Sequence, residues 1–198
     1  MKTNNWQRNL PTLLTFSRIA VAPIFMWLIH MNNPTWGRIA ALIFILASFT
    51  DFLDGYYARK FDVESSLGKL MDPIADKILV AVVLIMLIPS GRVDPFMVIL
   101  LLGRDLLIGG IRAVAAANQL IIAAKPFGKW KAALQMIAVP MILLGPVDLT
   151  SVLDIASVID LASYGYWLLW VSVILSLISG TQYILAFCAV NRSHPKSS

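Results

Sequence analysis

Cysteine and histidine are almost missing from this chain, and charge is scarce. Cys188 is the single cysteine among 198 residues, so no disulfide can form within the chain. It lies in an apolar stretch and reads as a small packing residue. His30 and His194 are the two histidines and stand far apart, which excludes the His/Cys sets that hold zinc. Charged residues make up 14% of the chain, where soluble domains carry about 25%. The period of strand alternation is absent. No internal repeat, low-complexity linker or RNA-binding motif interrupts the chain, so residues 1–198 read as one domain with no nucleic-acid partner.

Long apolar runs take the place of charge. Hydrophobic residues reach 59% and the mean hydropathy is +0.78. Six segments approach the length of about 20 residues that a bilayer requires: 12–30, 37–57, 73–89, 95–117, 129–145 and 164–188. Backbone groups in lipid must be satisfied internally, so the segments are expected to be helices. The fold class is therefore all-α, a polytopic integral membrane protein with six transmembrane helices. Lys2 and Arg8 precede the first segment as they would in a signal peptide. Its apolar stretch is longer than a usual leader core, and no small-residue cleavage pattern follows Ile29, so it reads as a retained helix.

Basic residues orient the bundle. With the N-terminus cytoplasmic, only Arg38 and Arg92 of the 16 lysines and arginines fall outside. The C-terminus is then cytoplasmic too. The loop near 146–160 carries Asp148, Asp154 and Asp160 without a lysine or arginine, as befits an outer loop. The net charge of +5 reflects a basic inner face suited to anionic lipids.

Against this apolar background, one cluster of acids stands out. Asp51 and Asp54 end the second segment, and Asp72 and Asp76 open the third. An acid at the centre of a bilayer segment costs about 2.5–3.5 kcal/mol on insertion scales, so four together call for a compensating charge. Residues three, four and seven apart share a helix face, which groups Asp51, Asp54, Gly55 and Ala58 in one stripe and Asp72 with Asp76 in another. The loop from Lys60 to Leu70 reverses the chain, so the stripes can face each other. All the donors are hard oxygens, which favours Mg²⁺, Mn²⁺ or Ca²⁺. Four carboxylates suit two metals better than one, and paired metals recur in displacement at phosphorus. Helix capping is the plainer explanation for Asp72, which precedes Pro73, and the whole explanation for Asp94 before Pro95. Capping leaves Asp51, Asp54 and Asp76 unexplained.

The string Asp51-x2-Asp54-Gly55-x2-Ala58-Arg59-x8-Gly68-x3-Asp72-x3-Asp76 resembles the signature of the CDP-alcohol phosphotransferases at every fixed position. The resemblance implies a six-helix membrane enzyme of phospholipid synthesis that uses two divalent cations, Mg²⁺ or Mn²⁺. It implies that Asp51 and Asp72 bridge both metals, that Asp54 and Asp76 complete one site each, and that Asp76 is also the catalytic base toward the acceptor hydroxyl. Gly55, Arg59 and Ser65 would contact the CDP part of a CDP-lipid such as CDP-diacylglycerol.

Further strings are similar to the bacterial branch of that family whose acceptor is sn-glycerol 3-phosphate. They are Asn9-Leu-Pro11-Thr12-Leu-Leu-Thr15-Phe-Ser-Arg18, Gly103-Arg104-Asp105 with Arg112, and Gly128-Lys129-x-Lys131 with Gln135. Asp105 and Ala132 stand where that branch usually has Glu and Thr. The resemblance implies that Asn9, Thr12 and Arg18 border the cytidine or phosphate site. Arg112, Lys129, Lys131 and Arg104 would hold the acceptor's phosphate. Asp105 and Arg112, seven apart, share a face and are expected to pair. Lys125, Lys129 and Lys131 also satisfy the plainer account of a basic inner rim. The resemblance further implies a homodimer in the inner membrane of a bacterium, with the site facing the cytoplasm and membrane lipids around it. Inositol phosphate, serine or a second phospholipid are rival acceptors. A divalent-cation transporter is the rival from another class, but it calls for acids along a path through the bilayer, and these cluster at one end. A structural scaffold leaves the cost of the acids unexplained.

Overall fold

The computed structural model describes residues 20–61, 66–118, 127–148 and 158–193. The chain is mostly helical. Helix α1 covers Ala20–His30, α2 Pro34–Phe61, α3 Ser66–Leu87, α4 Pro95–Ala117, α5 Phe127–Leu144 and α6 Leu161–Ser193. Strands β1, Pro146–Asp148, and β2, Val158–Asp160, form an antiparallel ribbon with Val147 opposite Ile159. The ribbon corrects the expectation of a chain without strands. Three-residue strands are too short to show a period, and the turn that opens the ribbon is set by Gly145 at φ +68°.

Helix starts follow their caps. Asp94 has extended backbone and its Oδ1 accepts from the Phe96 amide at 2.7 Å, with Pro95 at the first helical position. The expected segment 95–117 and α4 coincide for that reason. Asn33 before Pro34 does the same for α2, accepting from the Thr35 amide at 2.9 Å. Asp160 caps α6: its carboxylate accepts from the Ala162 amide at 3.1 Å and from the Ser163 hydroxyl at 2.7 Å. Asp72 departs from the expectation. Helix α3 begins at Ser66, so Asp72 lies inside the helix and is not its N-cap. The apolar pattern begins only at Pro73, whereas the helix starts two turns earlier through a more polar stretch.

The core runs through the middle of the bundle and the half next to the β-ribbon. Phe25 and Phe44 are fully buried and meet edge to face, 6.2 Å between centroids. Leu84, Leu87, Met97, Leu101, Ile142, Leu143 and Leu169 complete it. Two glycines set how closely the helices approach. A Cβ on Gly37 would come within 2.7 Å of the Leu143 carbonyl, and one on Gly165 within 2.8 Å of the Ala138 carbonyl. Helices α2 and α6 therefore lie against the backbone of α5, the small-residue contact common between membrane helices.

The outside of the bundle is as apolar as the core. Leu42, Leu46, Phe49, Phe96, Ile99, Leu106, Trp167 and Leu185 are all more than half exposed. Cys188 belongs to this exposed surface and is not the packing residue expected from its surroundings. Among the described residues one stretch, Leu161–Val190, is long and apolar enough on its own to cross a membrane, with mean hydropathy 1.9. Ala20–His30, Pro34–Thr50, Lys77–Leu87 and Trp130–Leu144 are shorter apolar stretches. Polar residues interrupt the others: Asp51 and Asp54 in α2, Arg104, Asp105 and Arg112 in α4, and Lys131 in α5.

Candidate active site: a basic cavity between four helices

Helices α3, α4 and α5 line a cavity of about 360 Å³, and α6 meets it through Arg104. That volume sits at the small end of ligand pockets, about 300–1,000 Å³. One end of the cavity is apolar, with Val80, Leu84, Leu101 and Met136. The other end carries Lys77, Arg104, Asp105, Arg112, Lys131 and Gln135. Four cations thus face one carboxylate.

Asp105 organises two of those cations. Arg104 Nη1 donates to its Oδ1 at 3.0 Å, and Lys131 Nζ donates to the same oxygen. Arg104 is also tied to α6: its Nε donates to the Ser176 carbonyl at 3.0 Å and its Nη2 to the Ser179 hydroxyl at 3.1 Å. Gly180 leaves room for this guanidinium, since a Cβ there would approach Nε to 3.1 Å. Ser172 donates to the Lys131 carbonyl at 3.2 Å. Ser172, Ser176 and Ser179 are all buried and form one stripe at spacings of four and three. Lys131 and Gln135 are buried beside it. A buried charge without a partner is costly, and shared hydrogen bonds let these persist in an apolar bundle.

Arg112 behaves differently from the expectation. Its guanidinium lies 5.3 Å from the centre of the Tyr183 ring, and Asp105 pairs with Arg104 and Lys131 in its place. Seven residues on a helix keep the face but add about 10 Å of rise, so the adjacent Arg104 and the facing Lys131 are nearer partners. Cation–π contact satisfies Arg112 while leaving its donors toward the cavity uncommitted to a carboxylate.

The other expected site residues are placed by backbone only, or not at all. Asp51, Asp54, Gly55 and Arg59 lie on α2, and Asp72 and Asp76 on α3. Lys129 lies on the first turn of α5. Asn9, Thr12, Arg18 and Ser65 fall outside the described residues. Among the described residues no group of three or more potential metal ligands forms, and the side chains of the four aspartates are not among those described. The cavity does adjoin their helix, because Lys77 lines it and follows Asp76 directly. The serine stripe of α6, Tyr183 and Lys77 were not picked out from the sequence. A small-residue pattern at Gly165, Ser172, Ser176, Ser179 and Gly180 was the available signal for the first.

A helical bundle with an apolar exterior and a compact basic cavity is the form of a membrane protein whose cavity suits an anionic group. The comparisons give that class its family. The family model described as CDP-alcohol phosphatidyltransferase matches residues 8–178, and the chain belongs to this family. A CDP-diacylglycerol–glycerol-3-phosphate 3-phosphatidyltransferase of Rickettsia typhi is 38% identical over 179 residues, covering 90% of this chain and 97% of the relative. The protein of that name from Bacillus subtilis is 38% identical over 190 residues, covering 88% and 93%. One from Arabidopsis thaliana, numbered 2, is 39% identical over 149 residues, covering 68% and 64%.

Proposed function

We propose that this chain transfers the phosphatidyl group of CDP-diacylglycerol to sn-glycerol 3-phosphate, giving phosphatidylglycerophosphate and CMP. The observation that carries the choice of acceptor is the cavity itself. It is small, its described lining sets four cations against one carboxylate, and it adjoins the helix that carries Asp72 and Asp76. An acceptor bearing its own phosphate, about −2 at neutral pH, suits that balance. Serine, which has no net charge, does not. The names of the relatives from Rickettsia typhi and Bacillus subtilis point to the same acceptor.

In this account Arg112 and Lys131 hold the acceptor's phosphate, with Lys129 from the same turn of α5. Arg104 adds charge next to α6 while fixing Asp105. Asp76 takes the proton from the attacking hydroxyl. Asp51, Asp54, Gly55 and Arg59 on α2 hold the nucleotide end of the CDP-lipid, together with Ser65, Asn9, Thr12 and Arg18. Arg59 suits a pyrophosphate because its guanidinium donates two parallel hydrogen bonds. The acceptor oxygen forms a bond to the β-phosphorus as the bond to CMP breaks, and holding both substrates in line lowers the entropic part of the barrier. The donor set of Asp51, Asp54, Asp72 and Asp76 is all hard oxygen, at helix spacings of three and four, and fits Mg²⁺ or Mn²⁺. Two such ions would neutralise charge developing on the pyrophosphate.

The bundle sits in the inner membrane of a bacterium with six spans and both termini cytoplasmic. The exposed apolar belt supports this placement, and so does the alternation of the helices, which puts Lys77, Arg112 and Lys131 in one half of the bundle. The chain acts as a homodimer among membrane lipids. The test is an assay on purified protein with CDP-diacylglycerol, Mg²⁺ or Mn²⁺, and glycerol 3-phosphate, inositol phosphate or serine in separate reactions. CMP and a lipid product should appear only with glycerol 3-phosphate. Turnover with another acceptor alone contradicts the account of the cavity.

A further inference from the structure

We infer that Lys77 is a fifth contact for the acceptor's phosphate and sets the preference for a phosphorylated acceptor. This rests on the proposed reading of the cavity as the acceptor site. Asp105 is shared by Arg104 and Lys131, so those three groups carry a net charge of +1. Such a set alone underbalances a phosphate of about −2. Arg112 brings the set to about the charge of the phosphate, and Lys77 is the further cation among the described lining residues, on the helix of Asp76.

Among the described residues, Lys77 and Arg112 are the cavity cations that no carboxylate holds. The one hydrogen bond of Lys77 among the described residues is a long contact, 3.4 Å, from Nζ to the main-chain carbonyl of Asp105. Two of its three ammonium protons are left for a ligand. The side chain is exposed, whereas Lys131 is buried. Gly109 of α4 lies beside it, with the position of a Cβ there 3.5 Å from Nζ. Lys77 also follows Asp76 on α3, so one helix carries the group assigned to the acceptor hydroxyl and a group for its phosphate. The two ends of one small acceptor would then be fixed by neighbouring residues, with the distance between them set by the helix.

The experiment is steady-state kinetics on the full chain in detergent for wild type, Lys77→Met and Lys77→Arg. Glycerol 3-phosphate and CDP-diacylglycerol are varied separately, and inorganic phosphate is titrated as an inhibitor. Lys77→Met should raise KM for glycerol 3-phosphate and the inhibition constant of phosphate at least about tenfold, the scale of a lost charge-assisted hydrogen bond. KM for CDP-diacylglycerol should stay within about twofold, and Lys77→Arg should recover most of the loss. If wild type uses glycerol 3-phosphate and Lys77→Met keeps the wild-type KM, the inference fails and the acceptor assignment stands. If wild type neither uses glycerol 3-phosphate nor is inhibited by phosphate, both fail. A Lys77→Met protein that has lost its folded elution profile is replaced by Lys77→Gln under the same criteria.

Discussion

The contact between α5 and α6 is built in two different ways along its length. Toward the β-ribbon, the outer end in the proposed orientation, Gly165 lies against Ala138 and Ile142, with Leu169 and Val173 buried beside them. Toward the inner end the same two helices meet through Ser172, Ser176 and Ser179, next to Lys131 and Arg104. The outer half is held by close packing, which needs no polar group. The inner half gives up part of that packing to charges, of which Arg104 and Lys131 share the carboxylate of Asp105. In the proposed account the chemistry belongs to the inner half, and the outer half serves packing alone.

The largest expected effect lies in the inner half. Asp76→Asn removes the proposed base and should lower the transfer rate about 10²–10⁴-fold while the thermal midpoint holds. Wild-type turnover in that variant removes Asp76 from its role. Asp105→Asn should be the most damaging inner-half change for stability. It leaves Arg104 and Lys131 facing each other without their shared carboxylate, at a cost of about 3–5 kcal/mol, readable as a fall in the unfolding midpoint. A change below 1 kcal/mol would mean that the charges are solvated and the inner half is not sealed.

An outer-half change should move stability alone. Gly165→Leu forces α6 off the α5 backbone and should cost about 1–3 kcal/mol, with KM for glycerol 3-phosphate unchanged in protein that remains folded. A KM shift equal to that of a cavity variant would couple the two halves and break the distinction. The smallest effect belongs to Asp160, outside the spans. Hydrogen bonds from the Ser163 hydroxyl and from the Ser163 and Ala162 amides hold its carboxyl below the usual range. Its stabilisation is therefore present above the unfolded carboxyl value and fades as pH falls through the lower folded value. Asp160→Asn should be slightly less stable than wild type at neutral pH, and the difference should vanish in acid. A gap that widens on acidification contradicts the cap.

Much of the fold was legible because apolar length and caps are local. Helix α4 was bounded to the residue, since Asp94-Pro95 starts it and the apolar run ends where it does. Helix α3 was not, because a hydropathy boundary marks where a span would begin and not where helical hydrogen bonding begins. Cys188 shows a deeper limit. When the exterior is as apolar as the core, an apolar neighbourhood no longer tells inside from outside. At the site, Arg104, Arg112 and Lys131 were recognisable by residue type, and the cavity gathers all three. Their partners were not, because the pairing of Asp105 with Lys131 and of Arg112 with Tyr183 depends on how α4, α5 and α6 pack. Helix spacing alone favoured Asp105 with Arg112.

The most direct test of the cavity as the acceptor site is the initial rate of Arg112→Met with each substrate varied in turn. The account predicts a rise of about tenfold or more in KM for glycerol 3-phosphate, with KM for CDP-diacylglycerol within about twofold of wild type. An unchanged KM for glycerol 3-phosphate, with the loss falling on CDP-diacylglycerol, would contradict it and assign the cavity to the lipid donor.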